Sequence, residues 1–189
     1  MIEVIDPKKL LLKVATILDE LEIGYFVTGG FALAMWGHVR ATADIDIVVE
    51  LVEPKVTSLA RALRKISEAG YIDEDAAREA IRRKGEFNFI DPDTGLKVDF
   101  WVMKEEVVVS REYKRRVNRA IDGRGVCFIS PEDLILNKLK WHQYGDSALQ
   151  LDDVKSILKA SGGGLDYEYL KTWAKELEVL DVLDSLGNF

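Results

Sequence analysis

The run Asp44-Ile45-Asp46-Ile47-Val48-Val49 constrains this chain more than any other segment. Its β-branched residues predict a strand from Asp44 to Leu51. Side chains alternate faces along a strand, so Asp44 and Asp46 leave one side while Ile45 and Ile47 leave the other. Two carboxylates at neighbouring positions of one face repel, and the pair is costly unless water or a cation relieves it. The apolar flanks argue for an internal strand, where a divalent cation is the natural compensation. The competing reading is an edge strand with two solvated aspartates.

Two further segments share that chemistry. In Lys97-Val98-Asp99-Phe100-Trp101-Val102 an aspartate again interrupts an apolar strand. Val98 and Phe100 are expected in the core, which puts Asp99 on the opposite face. If this strand lies beside the first, three carboxylates converge; otherwise Asp99 is a polar position on a half-exposed strand. In Val27-Thr28-Gly29-Gly30-Phe31-Ala32 a strand ends at a Gly-Gly turn and a helix begins. Such a turn brings backbone N–H groups close to a ligand, and a helix N-terminus favours anions such as phosphate. Most Gly-Gly pairs mark only a turn.

The remaining elements follow from periodicity and punctuation. Asp6-Pro7 starts a helix whose apolar face is Leu10, Val14, Ile17 and Leu21. Strands are expected over Tyr25–Thr28, Glu86–Ile90, Leu96–Met103 and Gly125–Ile129. Helices are expected over Phe31–Trp36, Pro54–Ala69, Asp73–Lys84 and Glu112–Asn118. After Ser130-Pro131, with Asp133 placed to help cap, only helices are expected: Pro131–Tyr144, Ala148–Ala160 and Tyr167–Leu177. The outline is an α/β part over residues 1–129 and a helical part over 130–189.

Composition narrows the function classes. The chain has 189 residues, 48% apolar and 31% charged, which excludes a disordered tail. It contains no apolar run near the ~20 residues of a membrane helix. Met1 to Lys9 lacks the apolar core of a signal peptide, and the single cysteine, Cys127, excludes an intrachain disulfide. A reducing cytoplasm is the expected compartment. With 26 Lys+Arg against 33 Asp+Glu, the net charge of −7 argues against a general nucleic-acid coat protein. His38 and His142 are too few for a histidine-rich metal site, so carboxylates must hold any metal, and that points to Mg²⁺.

Taken together, the Gly-Gly turn, the Asp-x-Asp strand and the later single aspartate resemble the DNA polymerase beta-like nucleotidyltransferase superfamily. The superfamily pattern is hydrophobic-Gly-(Gly/Ser), a helix, then Asp-hydrophobic-(Asp/Glu)-hydrophobic. Here it reads Val27-Thr28-Gly29-Gly30 and Asp44-Ile45-Asp46-Ile47, with Thr28 a small departure, and the third carboxylate matches Asp99. Arg40-Ala41-Thr42-Ala43-Asp44 is similar to the form found in small prokaryotic nucleotidyltransferase-like proteins, among them relatives of abortive-infection toxins. Ser130 to Leu139 resembles their C-terminal helix, which carries a lysine, here Lys138, with an aspartate following, as in Asp152-Asp153.

The resemblance implies an α/β (α+β) fold: a small mixed sheet with flanking helices, then a helical C-terminal part. It implies transfer of a nucleoside monophosphate from an NTP to a hydroxyl on a protein, a tRNA or a small molecule, with pyrophosphate released. Asp44 and Asp46 would bind Mg²⁺, with two ions expected. Asp99 would share a metal and activate the attacking hydroxyl. Gly29 and Gly30 would cradle phosphates, and Arg40, Thr42 and Lys138 would approach the nucleotide. A rival reading is a toxin–antitoxin component, or a module that binds nucleotide or protein with little transferase activity. A third is an ordinary α/β binding domain with three coincidental aspartates.

Other features take plainer readings. The basic run Arg111–Arg119 is either a solvated helix face, the favoured reading, or a holder of RNA phosphates or a triphosphate tail; Arg78–Lys84 reads the same way. Trp141, His142, Tyr167, Tyr169 and Trp173 are expected to pack between helices, and Cys127 in the core. Asp153 is either a supporting polar residue or part of a helix's first turn.

Overall fold

The structure, a computed structural model, describes residues 6–39, 42, 44–67, 69–92, 94–104, 107–145 and 147–187; for 107–110 it describes the backbone alone. In chain order the elements begin α1 (Pro7–Glu20), β1 (Tyr25–Thr28), α2 (Gly29–Trp36) and β2 (Asp44–Val49). A 3-10 turn (Glu53–Lys55) leads into α3 (Val56–Arg64), β3 (Tyr71–Ile72), α4 (Glu74–Arg83), β4 (Glu86–Asp91) and β5 (Leu96–Val102). Then come α5 (Val107–Arg115), β6 (Val117–Ile121), β7 (Arg124–Phe128), α6 (Pro131–Gly145), α7 (Ala148–Ser161), α8 (Tyr167–Glu176) and α9 (Leu180–Ser185).

The strands form one mixed sheet in the order β3-β4-β5-β2-β1-β7-β6. β2 is therefore central, paired with β1 antiparallel and with β5 parallel. That excludes the edge-strand reading of Asp44 and Asp46. The alternation read from the sequence holds in register. Ile45, Ile47 and Val49 pair with Val98, Phe100 and Val102, and all six are buried. Phe87 of β4 stacks on Phe100 with ring centroids 5.0 Å apart. Each such ring contributes about 1.5–3 kcal/mol on burial, enough to hold the register against a one-residue slip. The opposite face carries Phe26, Thr28, Asp44, Asp46, Val48, Lys97, Asp99 and Trp101 at matching positions.

The helices take their places by their apolar faces. α1 is capped by Asp6, whose carboxylate accepts from the Lys8 N–H, and it buries Leu10, Leu11, Val14 and Leu18. α3 and α4 bury Leu59, Leu63, Ala77 and Ala80 in the same core. From Pro131 onward the chain is helical; α6 packs on α7, α8 and α2. Among the described residues no helix is long and apolar enough to cross a membrane.

Several boundaries differ from the sequence reading. The expected helix Glu112–Asn118 is instead the end of α5 followed by β6. β6 and β7 form a hairpin closed by Asp122-Gly123, both at positive φ (+48° and +80°). Asp-Gly is the residue pair such a two-residue turn prefers, so the signal was present in the chain. α3 stops at Arg64, short of Ala69, and α2 begins at Gly29 itself. The short β3 and α9 were not anticipated.

Candidate active site

The register of β2 and β5 builds a compact charged array. Asp44 lies opposite Lys97, and Asp46 lies opposite Asp99, all four on one face. Thr28 lies opposite Asp46 from the other side, and Asn88 of β4 lies opposite Asp99. Lys97 Nζ is 2.8 Å from Asp99 Oδ2 and 3.8 Å from Asp44 Oδ1. Burial raises the Asp46 pKa above the ordinary carboxylate value, and the neighbouring Asp99 and Asp44 charges raise it further. A hydrogen bond from the Trp101 side chain and the charge of Lys97 partly oppose that shift. The Lys97 pKa is raised by its hydrogen bond to Asp99.

The Gly-Gly turn closes against this array. Gly29 has φ +60°, and a Cβ there would lie 2.0 Å from Asp46 Oδ2. Only glycine allows the start of α2 to pass this close to the carboxylate. A Cβ on Gly30 would meet Thr42 Oγ1 at 2.9 Å. Thr42 in turn donates its hydroxyl to the Asp44 carbonyl at 3.0 Å, tying the loop before β2 to the strand. Arg40 lies outside the described residues.

A cleft of about 710 Å³ opens over this face. Gly29, Gly30, Thr42, Asp44 and Asp46 line one wall, and Lys138 lines it from α6. Asp99 does not line it: its carboxylate is held by Lys97 beside the cleft, with its side chain 16% exposed. Lys138 is buried, its Nζ 2.6 Å from the equally buried Asp153 Oδ2 and 3.3 Å from Gln150 Oε1. Lys84, Lys104 and Lys140 add cations to the walls. Lys138 is thus not a solvated helix lysine.

Some residues of the site were not singled out from the sequence. Lys97 sits at the position two before Asp99, which the strand period puts on the same face. Trp101 is two residues beyond Asp99 and follows the same rule. Trp141, expected in helix packing, is 62% exposed and lines the cleft, as does Tyr144, 74% exposed. Trp101 and these two are three of the four exposed aromatic rings among the described residues, so the cleft concentrates uncovered ring surface. Glu112 of α5 also lines the cleft, buried; burial, then the Asp133 charge, push its pKa up to about 7.

The basic run of α5 is a tether, not a solvated face. Arg111 is largely buried, 3.0 Å from Asp133 Oδ1, with its guanidinium 4.0 Å from the Trp173 ring centroid. Arg115 lies over Tyr169 at 3.6 Å and pairs with Glu132 at 3.4 Å. Tyr169 and Ser130 donate their hydroxyls to Asp133 at 2.5 and 2.8 Å. Arg116 and Arg119 cover Tyr113 and Trp36. Tyr169 and Trp173 do pack between elements, but around arginines. Cys127 is half-buried on β7.

Asp44, Asp46 and Asp99 offer hard carboxylate oxygens, the donor type that suits Mg²⁺. Burial raises the Asp46 pKa and the neighbouring Asp99 and Asp44 charges raise it further; a cation would relieve both. The donor set therefore fits such an ion. Among the described residues, no three His, Cys, Asp or Glu side chains form a ready cage. The ammonium of Lys97 stands beside two of the three carboxylates.

The fold is similar to that of several solved structures. ANT(2")-Ia in complex with adenylyl-2"-tobramycin aligns over 90% of this chain and 96% of its own, at 14% identity and a TM-score of 0.59. An antigenic nucleotidyltransferase-like protein from Paracoccidioides brasiliensis covers 95% and 90%, at 18% identity and 0.55. The lincosamide antibiotic adenylyltransferase LnuA, lincomycin-bound, covers 79% and 94%, at 13% identity and 0.54. A search of curated proteins finds no match. The profile of the family described as "Nucleotidyltransferase of unknown function (DUF6036)" matches residues 5–184, spanning the glycine turn, the aspartate strands and the α6–α9 helices. The fold and this match lead to one conclusion: the chain belongs to that family of nucleotidyltransferases.

Proposed function

We propose that the protein transfers a nucleoside monophosphate from an NTP to a hydroxyl group of a small molecule, at the face of β2 and β5. The observation that carries this reading is the in-register pair Asp46–Asp99, with Asp44 beside it, lying against the Gly29 turn. In the reaction the acceptor oxygen bonds to the α-phosphorus, the bond from that phosphorus to the bridging oxygen breaks, and pyrophosphate leaves. Asp99 takes the hydroxyl proton. The Gly29 and Gly30 N–H groups at the start of α2 bind phosphate oxygens. Lys84, Lys104 and Lys140 offset the triphosphate charge from the other walls. Lys138 is held by Asp153 and serves as a fixed cation facing the cleft. Asp44, Asp46 and Asp99 would hold Mg²⁺, which supplies neutralisation of the phosphate charge.

Three considerations favour a small acceptor. The net charge of −7 offers no general surface for a polynucleotide. Two of the similar folds are named with antibiotics, tobramycin as its adenylyl adduct and lincomycin. The uncovered rings of Trp101, Trp141 and Tyr144 give the cleft a surface for a planar or apolar part of a substrate.

The test is transfer of α-³²P label from each of the four NTPs, with Mg²⁺, into a small-molecule extract, an RNA fraction and a protein fraction. Asp44→Ala/Asp46→Ala is the control. Label in the small-molecule fraction with the wild type alone supports the proposal. Label in RNA or protein overturns the acceptor class. No label anywhere, with NTP binding seen by calorimetry, favours a nucleotide-binding module.

A further inference from the structure

The array on β2 and β5 already contains a cation. Asp44, Asp46 and Asp99 supply three negative charges, and Lys97 supplies one positive charge at the fourth corner of the same two-by-two register. Its ammonium is 2.8 Å from Asp99 and 3.8 Å from Asp44, and the side chain is 37% exposed. Lys97 is thus anchored by carboxylates but not walled in. It has room to swing towards solvent, since its long stem leaves an exposed face of β5. The carboxylates it holds include the one that stands outside the cleft wall, Asp99.

We propose that Lys97 is a resident counter-ion that a divalent cation must displace. In the metal-free protein the ammonium offsets the repulsion among the three aspartates and keeps Asp99 turned to itself. A cation that takes Asp99 and Asp44 as ligands competes with Lys97 for the same oxygens. Lys97 therefore weakens the affinity of the free protein for divalent ions, and it releases Asp99 only when one arrives. This rests on the metal-dependent reading of the site proposed above.

The physical expectation has a size. A unit charge within about 4–6 Å changes the affinity of a carboxylate for a proton by 1–3 logarithmic units. A metal ion on the same oxygens responds to the loss of that charge in the same direction, by roughly tenfold or more.

The experiment is Mn²⁺ binding to the NTP-free protein, followed by calorimetry and by the loss of the free-ion paramagnetic resonance signal. Wild type is compared with Lys97→Met and Lys97→Arg, with melting curves to show that each is folded. Lys97→Gln replaces Lys97→Met if the latter does not fold. Asp46→Asn reports whether binding occurs at the array. The expected result is binding about tenfold tighter in Lys97→Met, unchanged in Lys97→Arg, and weakened in Asp46→Asn. Equal or weaker binding in Lys97→Met overturns the proposal and leaves the transferase reading intact. So does tightening in Lys97→Arg as large as in Lys97→Met, because charge would then not be the cause. Mn²⁺ binding that ignores Asp46→Asn in every background, with or without NTP, overturns the metal-dependent reading and this inference with it.

Discussion

A methyl group at Gly29 meets the Asp46 carboxylate in a backbone that side chains rarely adopt. Gly29→Ala is expected to destabilise the protein by about 1–3 kcal/mol and to impair transfer together, seen as a lower melting temperature and slower label incorporation. Asp46 shows the opposite coupling. Its pKa is raised in the folded chain, so its charge works against folding. The stability it leaves to the fold is complete below the ordinary carboxylate pKa and is lost as pH rises through the raised value. Asp46→Asn is therefore expected to raise the melting temperature at pH 7 and to leave it unchanged at pH 3. It should also lower transfer by roughly a hundredfold or more. A melting temperature that falls at pH 7 would contradict this account. Both effects come from one cause: a carboxylate held buried beside two others at the site.

Two helices carry buried charge, and each predicts its own stability signature. On α6, Lys138 is paired with Asp153 of α7, both buried. Lys138→Met removes the cation from a buried carboxylate and is expected to destabilise by about 3–5 kcal/mol in urea titrations. Lys138→Met/Asp153→Leu should recover most of that loss. A small loss in the single variant would mean that the pair is not closed in solution. On α5, Glu112 faces Asp133, Arg111, Lys140 and Asn137, and its pKa rises to about 7. Stability from the protonated form is complete below the ordinary Glu pKa and is lost as pH rises through about 7. Glu112→Gln is expected to match wild type at pH 4 and to exceed it by about 3 kcal/mol at pH 9, each read from a denaturation midpoint. The arginine tether to Asp133 and Tyr169 holds α5 against α6 and α8, so this titration is felt at the cleft wall.

At the scale of the molecule, one apolar cluster runs from α1 through the sheet to Leu183 of α9. Residues 1–129 alone would expose the partners of Leu134, Ile135, Leu139, Ile157 and Leu170. We expect the full chain to unfold in one calorimetric transition and a 1–129 fragment to be insoluble; two separate transitions would show independent units. Much of the architecture was legible in the chain, because strand alternation and helix spacing are local rules. The period of two alone put Asp44 and Asp46 on one face, and Asp99 opposite Val98 and Phe100. The β6–β7 hairpin was legible too, in Asp122-Gly123, and was overshadowed by the helix pattern before it. What lay beyond the sequence is what depends on which strands and helices meet. The parallel pairing of β2 with β5 set Asp46 against Asp99 and Lys97 against Asp44, and no local pattern encodes a partner more than fifty positions away. The same holds for Lys138 with Asp153 and for Arg111 with Asp133: the sequence places each charge on a helix, and only packing makes it a buried pair. Local periodicity determined the faces; the tertiary structure decided which charges share them, because electrostatic energy depends on distance in space rather than along the chain.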